Sequence, residues 1–442
     1  MKTLFKISML SLVVVFFAAC GEDDPANIPF SENTIEEDKQ IVENSAIEVA
    51  NTMNAMKDVE AVDASVSLGM HLGMADPFSS KGIMKAEFLT TVTKVAGLQD
   101  GSSDIYDVMK ATAAPVELAE DPESIQDVWD ELVGIYAWNA STEDWDYTPN
   151  DTKIEFQFPS TENGATNNAV LQVTNYSGFY PTESLVEEEY TGDLPESLNI
   201  DLTVDDASVM SFSFEVEYRN DGVPVSIESI LTMDVFSMEM AMSNDDSKAE
   251  ASYKFTNGGE TVLEMSAAVE GDFSDENIED NTYTETNDYG DEWEELDAGG
   301  VFSNGNFKFQ VYNISLNGKG NIKNLADSLE IIYPDDYWDD PSFDELAAAE
   351  DEAALINNNL DIWALDEEAG VKIAEAEAYV YEESYGQYTD YWVEMRLRFG
   401  DGTYVDLETY FDDGFDQFVA ELNKMIVDLN ADYDLELEQI DY

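Results

Sequence analysis

"SLNIDLTVDDASVMSFSFEVEYRNDG", residues 197–222, decides the architecture. Leu198, Ile200, Leu202 and Val204 alternate with polar partners, and Met210, Phe212, Phe214, Val216 and Tyr218 then do the same. A period of two, with one apolar and one polar face, marks strands of a sheet covered on one side only. "RNDG" at 219–222 and "NGG" at 257–259 are turn chemistry between such runs. The alternation extends upstream to Ile154, Phe156 and Phe158. Downstream it returns in Tyr391, Val393, Met395, Leu397 and Phe399, after which "GDG" at 400–402 leads to Val405 and Leu407.

Two runs change phase. In "VSIESILTMDVFSMEMAMS" the apolar residues are odd-numbered up to Val235 and even from Phe236 to Met242. "FKFQVYNISL" switches in the same way between Val311 and Tyr312. A one-residue slip exchanges the faces of a strand, so each switch predicts a bulge or sharp bend within one long strand. The sequence "VEMRLRFGDGTYVDLET" also echoes "VEYRNDGVPVSIES", and these two hairpins hold all three arginines, Arg219, Arg396 and Arg398.

Helical spacing dominates residues 34–132. Ile41, Ser45, Val49, Met53 and Met56 form one stripe, Ile83, Phe88, Val92 and Val95 a second, and Ile125, Val128, Trp129 and Leu132 a third, with a shorter helix at 104–110. Helices and strands are segregated rather than alternating, which predicts an α+β fold: N-terminal helices on a large, curved, mostly antiparallel sheet, with a C-terminal helix. The expected organisation is a leader at 1–19, a tether at 20–33 and one domain at 34–442. Within that domain, 133–333 is mainly strands, 341–359 a helix, 371–411 strands and 413–430 a closing helix through Phe415, Phe418, Leu422 and Ile426. A curved sheet against helices resembles the periplasmic lipoprotein carriers in outline, and that resemblance implies an acyl chain cupped between the layers.

Cys20 is the only cysteine, so no disulfide forms within the chain. It follows Lys2, Lys6 and an uninterrupted apolar or small run, Ile7–Ala19, with Ala18 and Ala19 directly before it. That run fits a secretory h-region and is short for a permanent membrane span. Together with Cys20 it resembles a bacterial lipobox. The resemblance implies lipidation of Cys20, cleavage before it, and membrane attachment through several acyl chains. Gly21 followed by "EDD" resembles the acidic export tag of Bacteroidota surface lipoproteins, which implies the outer membrane and exposure at the cell surface. "DSL" at 327–329 resembles the short O-glycosylation motif of exported proteins of that group.

Ninety-seven Asp and Glu face 19 Lys and Arg, a formal charge of −78 that becomes −80 once Lys2 and Lys6 leave with the leader. Such a surface repels nucleic acid and anionic lipid, so neither is an expected partner, and a monomer is expected. The acids are spread along the chain, which favours adaptation to salt over one cation site. The densest stretch, 271–300, carries twelve acids between Asp272 and Asp297 without Lys or Arg. It reads as a solvated loop, with Asp288, Asp291 and Glu292 the candidate ligands if calcium binds. The DxDxDG core of an EF-hand does not occur.

Catalytic chemistry has little to draw on. His71, in "LGMHLGM", is the only histidine, and its apolar setting reads as packed. Without another His or a second Cys, imidazole–thiolate zinc sites and Cys–His dyads are not expected within one chain. No G-x-S-x-G elbow or P-loop is present, and paired carboxylates are too abundant to single out a glycosidase site. The expectation is a non-enzymatic binding or surface protein without a cofactor. Two ligand faces stand out: Phe236, Met238, Met240 and Met242 for an apolar ligand, and Tyr136, Trp138, Trp145 and Tyr147 for stacking on a glycan. Ordinary core packing and a capping hairpin are their respective alternatives.

Overall fold

The computed structural model describes residues 25–78, 89–99, 102–103, 105–113, 125–161, 163–182, 192–286, 292–333, 343–385 and 388–411. Cys20 and the expected closing helix at 413–430 lie outside them. The fold is α+β, with strands dominant. After a 3-10 turn at Pro25–Asn27 come helices α1 (Ile35–Met56), α2 (Glu60–Met74), α3 (Thr90–Gly97), α4 (Ile105–Ala113) and α5 (Ile125–Leu132). The strands that follow are β1 (Gly134–Asn139), β2 (Asp144–Thr148), β3 (Ile154–Phe158), β4 (Ala169–Phe179), β5 (Leu194–Val204) and β6 (Ala207–Tyr218). Next come β7 (Pro224–Met233), β8 (Phe236–Asn244), β9 (Lys248–Asn257) and β10 (Glu260–Gly271). Helix α6 (Asp275–Asp280), the strands β11 (Thr282–Thr286) and β12 (Glu292–Leu296), and helix α7 (Ala298–Val301) precede β13 (Phe302–Val311) and β14 (Ile314–Gly320). Helices α8 (Ile322–Ile332) and α9 (Glu345–Asn359) lead to β15 (Leu360–Asp366), β16 (Val371–Tyr385), β17 (Tyr388–Arg398), β18 (Tyr404–Asp406) and helix α10 (Leu407–Phe411).

Sixteen strands share one sheet in the order β18-β17-β16-β15-β14-β13-β10-β9-β8-β7-β6-β5-β4-β3-β1-β2, while β11 and β12 pair apart from it. Pairing is mostly antiparallel, with β1 and β3 parallel. Where one domain is expected, the described residues gather into two compact units, one of 49–243 and 252–262, the other of 25–48, 244–251 and 263–411.

In the first unit the inward residues of 197–222 are the core that their alternation predicts. Leu198, Ile200 and Leu202 are fully buried beside Leu171, Phe156 and Phe158. Each such side chain contributes about 1.5–3 kcal/mol by leaving water. Helix α2 packs on β3 and β6, and α4 on β7. The periodicity reading missed α2, because its small residues Ala61, Ala64, Ser65 and Ser67 blur the apolar stripe. Val92 and Val95 fall on α3, whereas Ile83 and Phe88 of the same expected stripe lie outside the described residues.

The phase switches are hairpins rather than bulges. Met233 faces Phe236 across the two-residue turn Asp234–Val235, and Val311 faces Ile314 across Tyr312–Asn313. Asp234 and Tyr312 take left-handed φ values of 54° and 49°, the conformation that a tight hairpin turn demands. Neither turn contains glycine, so composition concealed both.

In the second unit, Thr34 and Glu37 close a capping box on α1: Thr34 N–H donates to Glu37 Oε2 at 2.9 Å and Glu37 N–H to Thr34 Oγ1 at 3.3 Å. Ile35 and Val42 of α1 pack with Ala374, Leu397, Phe399 and Tyr410. Three other expectations for this region change. Residues 271–300, read as one loop, contain α6, α7 and the β11–β12 hairpin. The zone read as strands to residue 333 ends in α8, which carries "DSL" on a helix where Lys323 pairs with Asp327 at 3.3 Å. Leu407 opens α10 instead of continuing β18.

The largest correction concerns the tether. From Pro25 the chain is part of the fold: Phe30 bridges Lys372 in parallel, Ser31 N–H donates to the Lys372 carbonyl at 2.7 Å, and Lys372 N–H to the Pro29 carbonyl at 2.8 Å. Paired β17 residues begin opposite Glu375, which leaves the first residues of β16 free to take this segment.

Candidate functional site

Strands β16 and β17 segregate their faces sharply. Ala376, Ala378 and Val380 stand opposite Leu397, Met395 and Val393 on one side, in line with Ala374, which pairs with Ala364 of β15. Those small residues let the alanines of α9 approach: Ala348, Ala349 and Ala353 are buried, and the Asn357 amide bonds both the N–H and the carbonyl of Ala378 at 2.8 Å. Helices α1 and α9 thus cover this side.

The other side is a ladder whose first five rungs are Glu375–Arg398, Glu377–Arg396, Tyr379–Glu394, Tyr381–Trp392 and Glu383–Asp390, with Tyr385 and Tyr388 paired beyond them. At its base Glu375 accepts from both Arg398 and the buried Lys372, whose ammonium also donates to the Pro25 carbonyl at 2.6 Å. Phe30 lies beneath both cations, 4.5 Å from the Lys372 nitrogen and 5.4 Å from the Arg398 guanidinium carbon. Gly400 permits this approach, since a Cβ there would stand 2.6 Å from that of Phe30. Burial raises the Glu375 carboxyl, but hydrogen bonds and charge from Lys372 and Arg398 outweigh it and hold the group below its ordinary value.

On the second rung Arg396 donates to Glu377 at 2.6 Å and is held between two rings, 4.8 Å from the Tyr379 centroid and 3.9 Å from that of Tyr404. Tyr379 O–H donates to Glu394 at 3.0 Å, or to Asp406 at 3.1 Å. Burial first, and then these two carboxylates, raise its phenol well above the usual range. Trp392 Nε1–H also donates to Glu394, at 2.9 Å, and its ring packs 5.0 Å from that of Tyr381. Tyr381 is exposed and Trp392 half-buried. The fifth rung sets two carboxylates opposite each other, and residues 381–392 contain no Lys or Arg.

Beside the base, a cleft of about 360 Å³ is lined by Phe30, Asp38, Ile373, Phe399 and Asp401 among others. Asp38 is buried there and accepts from Ser31 Oγ and Asn33 Nδ2, each at 2.9 Å. A shallower hollow of about 480 Å³ lies between the start of α9 and Tyr391 on the covered side.

Residues singled out from the sequence are placed otherwise. Tyr136, Trp138 and Trp145 are buried in the first unit, so they form core rather than a stacking platform. Trp138 meets His71 edge-on at 4.7 Å and Trp145 at 5.4 Å; only Tyr147 of that cluster is exposed. His71 is buried, with Nδ1 2.7 Å from the Ser67 carbonyl. Phe236 and Met238 are core, while Met240 and Met242 grade to half-buried, and neither cleft described above reaches them. Asp288 and Asp291 lie outside the described residues, as does the Glu292 side chain. Among the described residues no three His, Cys, Asp or Glu side chains are grouped to hold a metal. The ladder itself went unnoticed. Its signal was present in "AEAYVYEES", where aromatic and acidic residues occupy the face opposite the alanines.

No family model, curated protein or solved structure matches the chain.

Proposed function

We propose that this chain is an exported, non-catalytic binding protein, fixed to the outer membrane by acyl groups on Cys20 and displayed at the cell surface. One observation supports the reading: Pro25, five positions after the lone cysteine that follows the apolar run, is already docked on the fold, buried and with its carbonyl accepting from Lys372. An export leader, an acylated cysteine and a folded body then follow each other with almost no spacer. Five residues reach about 18 Å when fully extended. The anchor therefore keeps the base of the β16 ladder within a few nanometres of the bilayer, and this is no long-tethered coat. Among the described residues no helix is long and apolar enough to cross a membrane, so attachment by lipid at Cys20 accords with the fold.

Labelled palmitate fed to cells expressing the full chain tests this directly. The wild type should take up label and sediment with outer membranes, while Cys20→Ala should remain unlabelled and retain its leader. Normal processing and membrane recovery of Cys20→Ala would remove the proposal. Protease treatment of intact cells then reports whether the bound protein faces outward.

A further inference from the structure

We infer that the fourth and fifth rungs of the β16–β17 ladder bind a basic peptide segment, with an arginine side chain lying on the Tyr381–Trp392 pair among the carboxylates of Glu383, Asp390 and Glu394. The molecule supplies its own precedent two rungs away. Arg396 already sits between the rings of Tyr379 and Tyr404 with Glu377 as its anion, which is how this face holds a guanidinium.

The ladder's charges run unevenly. Cations fill the two basal rungs, and none stands on the three beyond. Glu383 and Asp390 are directly opposed, a like-charge arrangement that is unfavourable on an antiparallel pair and that a cation between them relieves. Glu394 is shared by the Tyr379 hydroxyl and the Trp392 indole, which fixes the ring pair beside a negative charge. Aromatic faces next to carboxylates attract an organic cation, and a planar guanidinium adds stacking that an ammonium lacks.

The shape of the face selects a peptide. It is a row of exposed and half-buried side chains on two strands, with successive rungs about 7 Å apart. An extended segment has the same repeat, so basic residues two apart meet the ring rung and the acid rung together. The chain's charge of −78 draws such a partner in and repels acidic competitors. This inference stands apart from anchoring at Cys20, since purified protein binds or fails to bind whatever its lipid.

Calorimetric titration of the full chain with the pentapeptide Gly-Arg-Gly-Arg-Gly at about 0.15 M salt tests it. The double variant Tyr381→Ala/Trp392→Ala leaves the net charge unchanged and should weaken binding about tenfold. Glu383→Gln/Asp390→Asn should weaken it about threefold or more, and the lysine version of the peptide should bind less tightly than the arginine one. Equal affinity of wild type and ring variant would mean diffuse attraction to an acidic surface and would overturn the site. Should the ring variant fail to fold by circular dichroism, the carboxylate variant decides, because Asp390 is exposed and its amide leaves packing intact. Unchanged affinity there overturns the site as well. A glucosamine oligomer serves as the competing cation. If it shows the ring dependence and the peptide does not, the peptide is the wrong occupant.

Discussion

Lys372 holds its ammonium 4.5 Å above the ring of Phe30, and the two residues are joined through their backbones by a parallel bridge. The lysine side chain is 3% exposed and satisfied by the Pro25 carbonyl and Glu375. It pins the amino-terminal segment to the sheet.

Lys372→Met should therefore cost about 3 kcal/mol or more, since it leaves a buried carbonyl without its donor and removes one partner of a largely buried carboxylate. Phe30→Leu keeps an apolar side chain but loses the ring under two cations, and should cost about 1 kcal/mol or more. Urea denaturation of both variants measures the two effects. A Lys372→Met midpoint equal to wild type would show that the segment is not held by this contact.

Gly318 of β14 lies opposite Phe307 of β13, where a Cβ would stand 2.1 Å from the phenylalanine ring. Gly318→Ala should destabilise by about 1–3 kcal/mol, because the ring must leave its position over the backbone. Phe307→Ala in the same background should absorb most of that penalty. Simple additivity of the two changes would contradict the packing described.

Acid should weaken both units through particular carboxylates. Glu375 is lowered from an ordinary 4.5 because Lys372 and Arg398 outweigh its burial. Glu155 is lowered in the same way, burial being overcome by Lys153, Gln157 and Gln172. A depressed folded value gives stability that is fully present above 4.5 and is lost as pH falls through the lower, folded value. The gap in urea midpoint between wild type and Glu375→Gln should thus be widest near neutrality and close on acidification. A gap that widens toward acid would reverse the assigned sign.

Arg396→Lys keeps the charge and the reach to Glu377 but gives up planar contact with two tyrosines. It should cost about 0.5–2 kcal/mol, and Arg396→Ala more. Near-ultraviolet circular dichroism of Tyr379 and Tyr404 should change with either. A silent spectrum with unaltered stability would mean that the sandwich contributes nothing.

Much of the fold was readable where each strand carries one clean face. Leu198 to Gly222 shows alternation, the closing turn at 219–222 and burial in agreement, because neighbouring positions obey one rule. Reading failed where geometry came from contacts distant along the chain. Asp234 and Tyr312 turn the backbone without glycine, so a hairpin looked like a bent strand. Residues 25–33 have no period, since their order comes from β16 rather than from their own pattern. The aromatic cluster at 136–147 misled for a related reason. Alternation places Tyr136 and Trp138 together, but only the fold says that Phe78, His71 and Phe156 fill the space in front of them. The ladder needed register, because Arg396 meets Glu377 and Trp392 meets Tyr381 only once β16 and β17 are aligned.

The order of strands carries a consequence for assembly. From β4 onward nearly every main-sheet strand lies beside its predecessor in the chain, so each can join as soon as it is free, at small loop-closure cost. Pro25 and Phe30 are the exception. They wait for Lys372, the bond between Pro25 and that residue spanning 347 positions. In a chain threaded amino end first through a membrane, the earliest residues to emerge are among the last to find their place. Hydrogen exchange during refolding should protect β5 and β6 well before the amides of Ser31 and Lys372. Until that final closure, the segment from Pro25 to Ser31 stays undocked from β16, and the first strands of the sheet form without it.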